Sequence, residues 1–251
     1  MKPILFNTEM VRAILDGRKT TTRRVIKPQP VKFVEASNGL LAGCRCDNLY
    51  PDYGGRLIKY PYEKGDILYV RETFCKLWKL DGNDQIIEGT ENYYYAADGY
   101  NPTPFNCFPD EDGFHGDRDC PKWHPSIHMP KEAARLFLRV TGVKAERLQD
   151  ITENGAKDEG MVYTDFGMYQ PSWKASVDGG KTFYPAKEQH HFGWNSGSAK
   201  GPGECFPTSH GAFAHLWDST VNKSDLDHYG WSANPWVWVI SFERTARPDE
   251  K

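Results

Sequence analysis

The sequence predicts an α+β protein built on a small mixed β-barrel with short flanking helices. Three observations carry that prediction. Segments 67–74, 134–147 and 235–242 are rich in β-branched and aromatic residues, and the first two alternate apolar with polar side chains, the period of a strand. Helical periodicity is confined to three short stretches, 7–16, 150–160 and 210–219. Most of 75–130 and 162–208 has no period and is rich in Pro, Gly and polar residues. These stretches read as two long irregular insertions in a single domain spanning 1–251, and loops of this length in a compact domain are usually functional.

Asn7 or Thr8 can cap the first helix, whose Met10, Val11, Ile14 and Leu15 fall on one face. Gly17 stands where a left-handed C-terminal glycine belongs. Thr20-Thr21-Thr22, followed by Arg23-Arg24-Val25-Ile26, favours a strand. Residues 27–62 read as loop with one hairpin. Glu63-Lys64-Gly65-Asp66 reads as a turn into the strand 67–74, with Leu68 and Val70 on one face and Tyr69 and Arg71 on the other. Asn92-Tyr93-Tyr94-Tyr95-Ala96-Ala97 reads as another strand. In 134–147, Leu136, Leu138 and Val140 point inward, and Arg135, Phe137 and Arg139 outward. A helix runs from about Asp150 to Gly160, with Asp150 and Glu153 loosely matching a capping box. Phe213, Leu216 and Trp217 give the last helix an apolar stripe, and Trp236 to Phe242 form the closing strand.

Composition narrows the function. The 251 residues carry 31 basic and 34 acidic side chains, a formal charge of -3, which argues against a broad basic face for non-specific DNA binding. An aromatic content of 14% argues against disorder. No apolar run approaches a membrane span, and the N-terminal residues show no secretory signal, so a cytoplasmic location and no membrane partner are expected. Six cysteines are too few for a disulfide scaffold and are read as reduced. Cys44-x-Cys46 and Cys107, His115, Cys120, His124 and His128 supply ligand types, but their spacing fits no established zinc pattern. No phosphate-binding glycine loop occurs. No cofactor and no metal are expected, and the protein partner is left open.

Gly17-Arg18-Lys19-Thr20-Thr21-Thr22-Arg23-Arg24 resembles the GxKxxxxR signature of the ASCH domain, a member of the PUA-like superfamily. Three further blocks match in order: Gly65 to Val70, then Thr152-Glu153 with Ala156 and Glu159, then Trp236 to Phe242. Together they cover roughly half the chain. Within the family the pattern is most similar to the small bacterial N4-acetylcytidine amidohydrolases, whose GRKTxTxR run looks like residues 17–24 and whose TExxAxxE helix looks like 152–159. Val70-Arg71-Glu72-Thr73-Phe74 and the segment 125–130 also resemble phage and prophage ASCH proteins. The resemblance implies an amidohydrolase that removes an acyl group from an N4-modified cytidine, as nucleoside or nucleic acid, with Lys19, Thr22 and Glu159 catalytic. Thr22 stands where the broader ASCH signature prefers an acid, which favours hydrolysis. The alternative is a non-catalytic binding module for a modified base in RNA or DNA.

Amide hydrolysis needs a nucleophile, a base to activate it and an acid for the leaving amine. Lys19 can serve as base if burial populates its neutral amine, or can stay charged and stabilise the oxyanion. Thr22 supplies the hydroxyl, and Glu159 moves protons at the exocyclic nitrogen. In a regular strand, Lys19 and Thr22 face opposite sides, so they meet only if the chain turns between them, whereas Thr22 and Arg24 share a face. Arg24 suits a phosphate or pyrimidine carbonyl. Glu72 can accept from a base amine or pair with Arg24 or Lys19, beside Arg71. Tyr69, Trp123 and Trp236 can stack on a base, and Ser126 and His128 are placed along the cleft.

Overall fold

The structure, a computed structural model, describes residues 1–30, 32–35, 41–44, 60–77, 89, 92–99, 123–170, 174–176, 179, 181–185 and 187–248. The described elements, in order, are β1 (Lys2–Leu5), α1 (Thr8–Leu15), β2 (Thr21–Val25), β3 (Lys32–Glu35), β4 (Leu41–Cys44), β5 (Ile67–Arg71), β6 (Phe74–Leu77), β7 (Asn92–Tyr95), β8 (Phe137–Arg147), α2 (Glu153–Asp158), β9 (Val162–Tyr169), β10 (Lys174–Ala175), β11 (Tyr184–Pro185), β12 (Gln189–Asn195), α3 (Ser209–Thr220), α4 (Leu226–Tyr229) and β13 (Trp236–Thr245). Strands dominate and the helices are short, as an α+β protein requires. The chain divides into two compact units. One comprises Met1–Gly17, Tyr62–Gly142 and Ser241–Lys251, and the other Arg18–Pro61 and Val143–Ile240. The division falls within β8 and β13, which contribute to both.

In the first unit the strand order is β1-β5-β8-β13. β1 runs parallel to β5, with Lys2 opposite Leu68, and β5 runs antiparallel to β8. Alternation buries Leu68, Val70, Leu138 and Val140 to 1% exposure or less, as their pattern predicts. α1 begins where Asn7 accepts the Met10 N–H, buries Val11, Ala13 and Ile14, and stops at Gly17, whose φ of 74° needs no side chain. Two predictions are corrected here. The strand expected over 67–74 ends at Arg71: Glu72 donates its N–H to the Met129 sulfur, and Phe74 opens β6, which pairs with β7. Phe137, expected outward, is 4% exposed within a second cluster formed by Phe74, Met129, Ala133 and Ala134, so β8 is covered on both faces at this point.

In the second unit the order is β8-β13-β2. The apolar sides of α2 and α3 close over it, burying Leu148, Ile151, Ala156, Met161, Phe213, Trp217, Val237 and Val239 together. The hairpin expected within 27–62 is β3–β4. The stretch 162–208, predicted to be irregular, instead holds a long antiparallel hairpin, β9–β12, from Val162 opposite Asn195 to Tyr169 opposite Gln189. A register shift at His191–Phe192, Gly167 in the left-handed region and the exposed side chains of both strands erase the apolar alternation that would have marked it. Trp194 exchanges both backbone hydrogen bonds with Phe206, and a Cβ at Gly193 would stand 2.7 Å from the Cys205 Cβ, so only glycine lets these chains approach. Most of the insertion at 75–130, with Cys107, His115 and Cys120, lies outside the described residues, as do Cys46, Trp78 and Trp173.

Candidate active site

Residues flanking two short elements of the second unit build the site. The Thr152 side chain accepts the Gly155 N–H and starts α2, a helix of six residues whose C-terminal cap is Glu159. Gly160, at φ 104°, turns the chain away after it. Ahead of β2, Arg18 donates to the Gly160 carbonyl (2.7 Å), Thr20 N–H to the Asp158 carbonyl (2.8 Å), and Lys19 forms an isolated antiparallel bridge with Glu159. Backbone pairing therefore sets Lys19 against Glu159 before either side chain is considered.

The side chains complete the pairing. Lys19 Nζ lies 2.5 Å from Glu159 Oε2 and also donates to the Glu159 carbonyl at 3.0 Å. Arg23 Nη1 donates to the other carboxylate oxygen, Oε1, at 3.0 Å. The remaining edge of the Arg23 guanidinium holds Glu146 Oε1 through Nε (3.0 Å) and Nη2 (2.7 Å), and Lys144 meets Glu146 Oε2 at 2.7 Å. The Lys19 side chain is fully buried, and those of Arg23 and Glu159 are 4% exposed. Gly155 leaves the room that the guanidinium occupies, since a Cβ there would lie 3.3 Å from Nη2. Three cations thus alternate with two carboxylates, from a buried end at Lys19 to an exposed one at Lys144.

Burial pulls the Lys19 ammonium below the ordinary lysine value of 10.5, because the charged form loses its hydration. The Glu159 carboxylate opposes that shift, and the Arg24 and Arg23 charges add to it. Burial pushes Glu146 up, but hydrogen bonds from Lys144 and Arg23 outweigh it and hold the carboxyl below the ordinary value of 4.5. A buried amine whose charged form is disfavoured, in direct contact with a carboxylate, is the kind of pair in which acid–base roles are found.

The structure brings together Lys19 and Glu159 of the three residues expected to be catalytic. Thr22 is 2% exposed on β2, and among the described residues no hydrogen bond joins it to either. The third member at the pair is Arg23. Positions 19 and 23 share parity in an extended chain, whereas 22 does not, so the strand geometry that separates Thr22 from Lys19 selects Arg23 instead. Arg24, partly buried, is on the Thr22 side of that alternation. Arg23 and Glu146 escaped the sequence reading. Parity counted from Lys19 was a sufficient signal for Arg23, whereas Glu146 carries none, because its role depends on β8 lying within reach of β2.

Tyr69, Arg71, Glu72, Ser126 and His128 belong to the first unit. Glu72 is 1% exposed, and both its oxygens are held by Arg135, at 2.9 and 3.0 Å. Its partner is thus neither Arg24 nor Lys19. Arg135 also meets Asp98 at 2.7 Å and stacks over Tyr95, 3.9 Å from the ring centroid. Burial pushes Glu72 up against the opposing charge of Arg135, and Tyr95, which donates to the Ala133 carbonyl, up to about 12. Arg71 donates from Nη2 to the Ile127 carbonyl, tying β5 to the short turn Ser126–His128, while its Nε is buried without a partner. Tyr69 packs partly buried beside Phe74 and Met129. Among the described residues no three His, Cys, Asp or Glu side chains gather as a metal site would require, and no described helix is long and apolar enough to cross a membrane. No known family model, curated protein or solved structure matches the chain.

Proposed function

We propose that the protein is a cytoplasmic amidohydrolase that removes the acyl group from an N4-modified cytidine, with Lys19 and Glu159 as its acid–base pair. The observation that carries this reading is the buried 2.5 Å contact between Lys19 Nζ and Glu159 Oε2, with the amine pulled below its ordinary value by burial. It joins two of the three residues that the resemblance to the amidohydrolases nominates. In this reading the neutral Lys19 amine takes the proton of the attacking hydroxyl and relays it through Glu159 to the exocyclic nitrogen as the C–N bond breaks, leaving the acyl group as an ester that water, activated by the same pair, hydrolyses to the free acid. Arg23 fixes the carboxylate by its second oxygen. The Thr22 hydroxyl is the nominated nucleophile, and it must come within hydrogen-bond reach of Lys19 when substrate is bound. The mixed sheet, in which β5 runs parallel to β1 and antiparallel to β8, supports a PUA-like barrel as the scaffold.

A second reading, a binding module without chemistry, is favoured by one observation: both Glu159 oxygens are already engaged by Lys19 and Arg23, and the Lys19 side chain is fully buried. Incubation of the purified chain with N4-acetylcytidine, followed by chromatography, separates the two. Cytidine should appear with wild type, be lost with Lys19→Arg and Thr22→Val, and return in part with Thr22→Ser. Turnover by Thr22→Val at the wild-type rate would make water the nucleophile. Binding of the nucleoside without release of cytidine would leave only the binding module.

A further inference from the structure

We propose that the solvent-facing side of the β9–β12 hairpin is a stacking platform for unpaired bases, so that the amidohydrolase reading above extends to a target nucleotide within single-stranded RNA or DNA. Directly opposed residues of an antiparallel pair share a face, and that face recurs every second residue. Trp194 opposes Tyr163, and Phe192 opposes Asp165, so these four lie on one side. The other side carries Gly193 and Asn195, both buried, where Asn195 bonds Thr164 and Cys205. The hairpin thus spends its small residues on the packed side and its rings on the solvent side, the inverse of what core formation asks for.

The rings form a continuous row. His190, Phe192, Tyr163 and Trp194 follow one another at centroid separations of 5.6, 5.7 and 5.6 Å. Phe192 is 56% exposed and Tyr163 48%. Trp194 is half-buried and anchors the row on the α2–α3 cluster. At that end the row meets positive charge. Lys157 sits 5.2 Å over the Trp194 ring, and the Arg18 guanidinium lies within 3.1 Å of where a Gly197 Cβ would stand. Lys157 is two residues from Glu159 and Arg18 is adjacent to Lys19, so the charged end of the row and the candidate pair are carried by the same two backbone segments. The carboxylate on this face, Asp165, is engaged by His190 at 3.1 Å and by the Gly167 N–H at 2.8 Å. Planar rings in a row with cations at one end suit a ligand that is itself a row of planar rings on a polyanionic backbone.

The test uses the full chain and a fluorescently labelled single-stranded RNA of mixed sequence carrying no acyl group, followed by anisotropy at low salt. Phe192→Ala and Tyr163→Ala should each weaken binding by about tenfold, the loss expected for one stacked base. Phe192→Tyr, which keeps a ring, should bind as wild type does, and circular dichroism checks that each variant is folded. Absence of binding, equal affinity for a duplex of the same sequence, alanine variants that bind as well as wild type, or displacement by a soluble oligosaccharide would each overturn the platform. Because the probe has no scissile amide, the platform and the chemistry fail separately. Release of cytidine from free N4-acetylcytidine without RNA binding removes the platform alone, and RNA binding without hydrolysis of either free N4-acetylcytidine or the same RNA carrying one N4-acetylcytidine removes the amidohydrolase reading alone.

Discussion

Glu159 is the residue on which the buried network turns, because it is the carboxylate that Lys19 and Arg23 share. Glu159→Gln keeps the shape and leaves two buried cations without their common counter-charge. Removing one partner of a buried pair costs about 3–5 kcal/mol, and a loss at the lower end is expected here because Arg23 retains Glu146. Urea unfolding reads it as a fall in midpoint at unchanged slope. Lys19 makes a separate prediction about pH. Its folded value is lowered while its unfolded value stays near 10.5, so between the two the unfolded chain binds more protons and stability rises with pH. The stability difference between wild type and Lys19→Met should therefore move in favour of wild type as pH climbs from neutrality towards 10.5. A difference that is flat with pH would mean that burial leaves the ammonium unperturbed.

At the scale of elements, α2 is too short to hold its position by helix propensity. Its hold comes from its ends: the Thr152 cap, the Lys19 bridge at Glu159, and Glu153, which accepts from the Ser209 N–H and hydroxyl at the start of α3. Thr152→Ala removes the first of these and should cost about 1 kcal/mol. Because Glu159 is the opposite cap of the same six residues, cytidine release from N4-acetylcytidine should fall along with the melting temperature. A variant that loses stability yet keeps full turnover would show that the carboxylate is held by its ion pairs alone. The β9–β12 hairpin teaches a related lesson. A strand announces itself by alternation only when one of its faces is apolar and covered, and these strands cover a face lined by glycine, asparagine and threonine.

At the scale of the whole molecule, the carboxyls divide by their surroundings. Glu146, Glu153 and Asp66 are held below their ordinary values by hydrogen bonds that outweigh whatever burial opposes them. For these groups the unfolded chain takes up protons first as pH falls. Their contribution is present above the ordinary carboxyl values and is lost as pH drops below about 4.5 through the lowered ones. Glu72 acts in the opposite sense: burial raises it, so the folded state protonates first, and acidification through its raised value favours folding. Thermal melts at constant ionic strength should show stability falling steeply below pH 4.5 in wild type, and falling less in Glu146→Gln measured against its own neutral value. Stability that keeps rising on acidification would contradict the pairing of these carboxyls.

Features whose cause lies within a few residues were legible before folding was considered. Asn7 capping α1, Gly17 ending it, the buried alternation of Leu68 with Val70 and Leu138 with Val140, and the apolar stripe of Phe213 and Trp217 all followed from periodicity and capping chemistry. The alternation that sets Thr22 and Lys19 on opposite sides of a regular strand, and Lys19 and Arg23 on one side, was also legible, since it needs only the two-residue period of an extended chain. The meetings of residues far apart in the chain come from the packing of the fold. Glu146 reaches Arg23 across 123 positions, Glu159 reaches Lys19 across 140, and Glu72 finds Arg135 across 63. A carboxylate in a sequence carries no mark of which cation will neutralise it. Burial forces each charge to find a partner, and strand order decides which charge is close enough to serve.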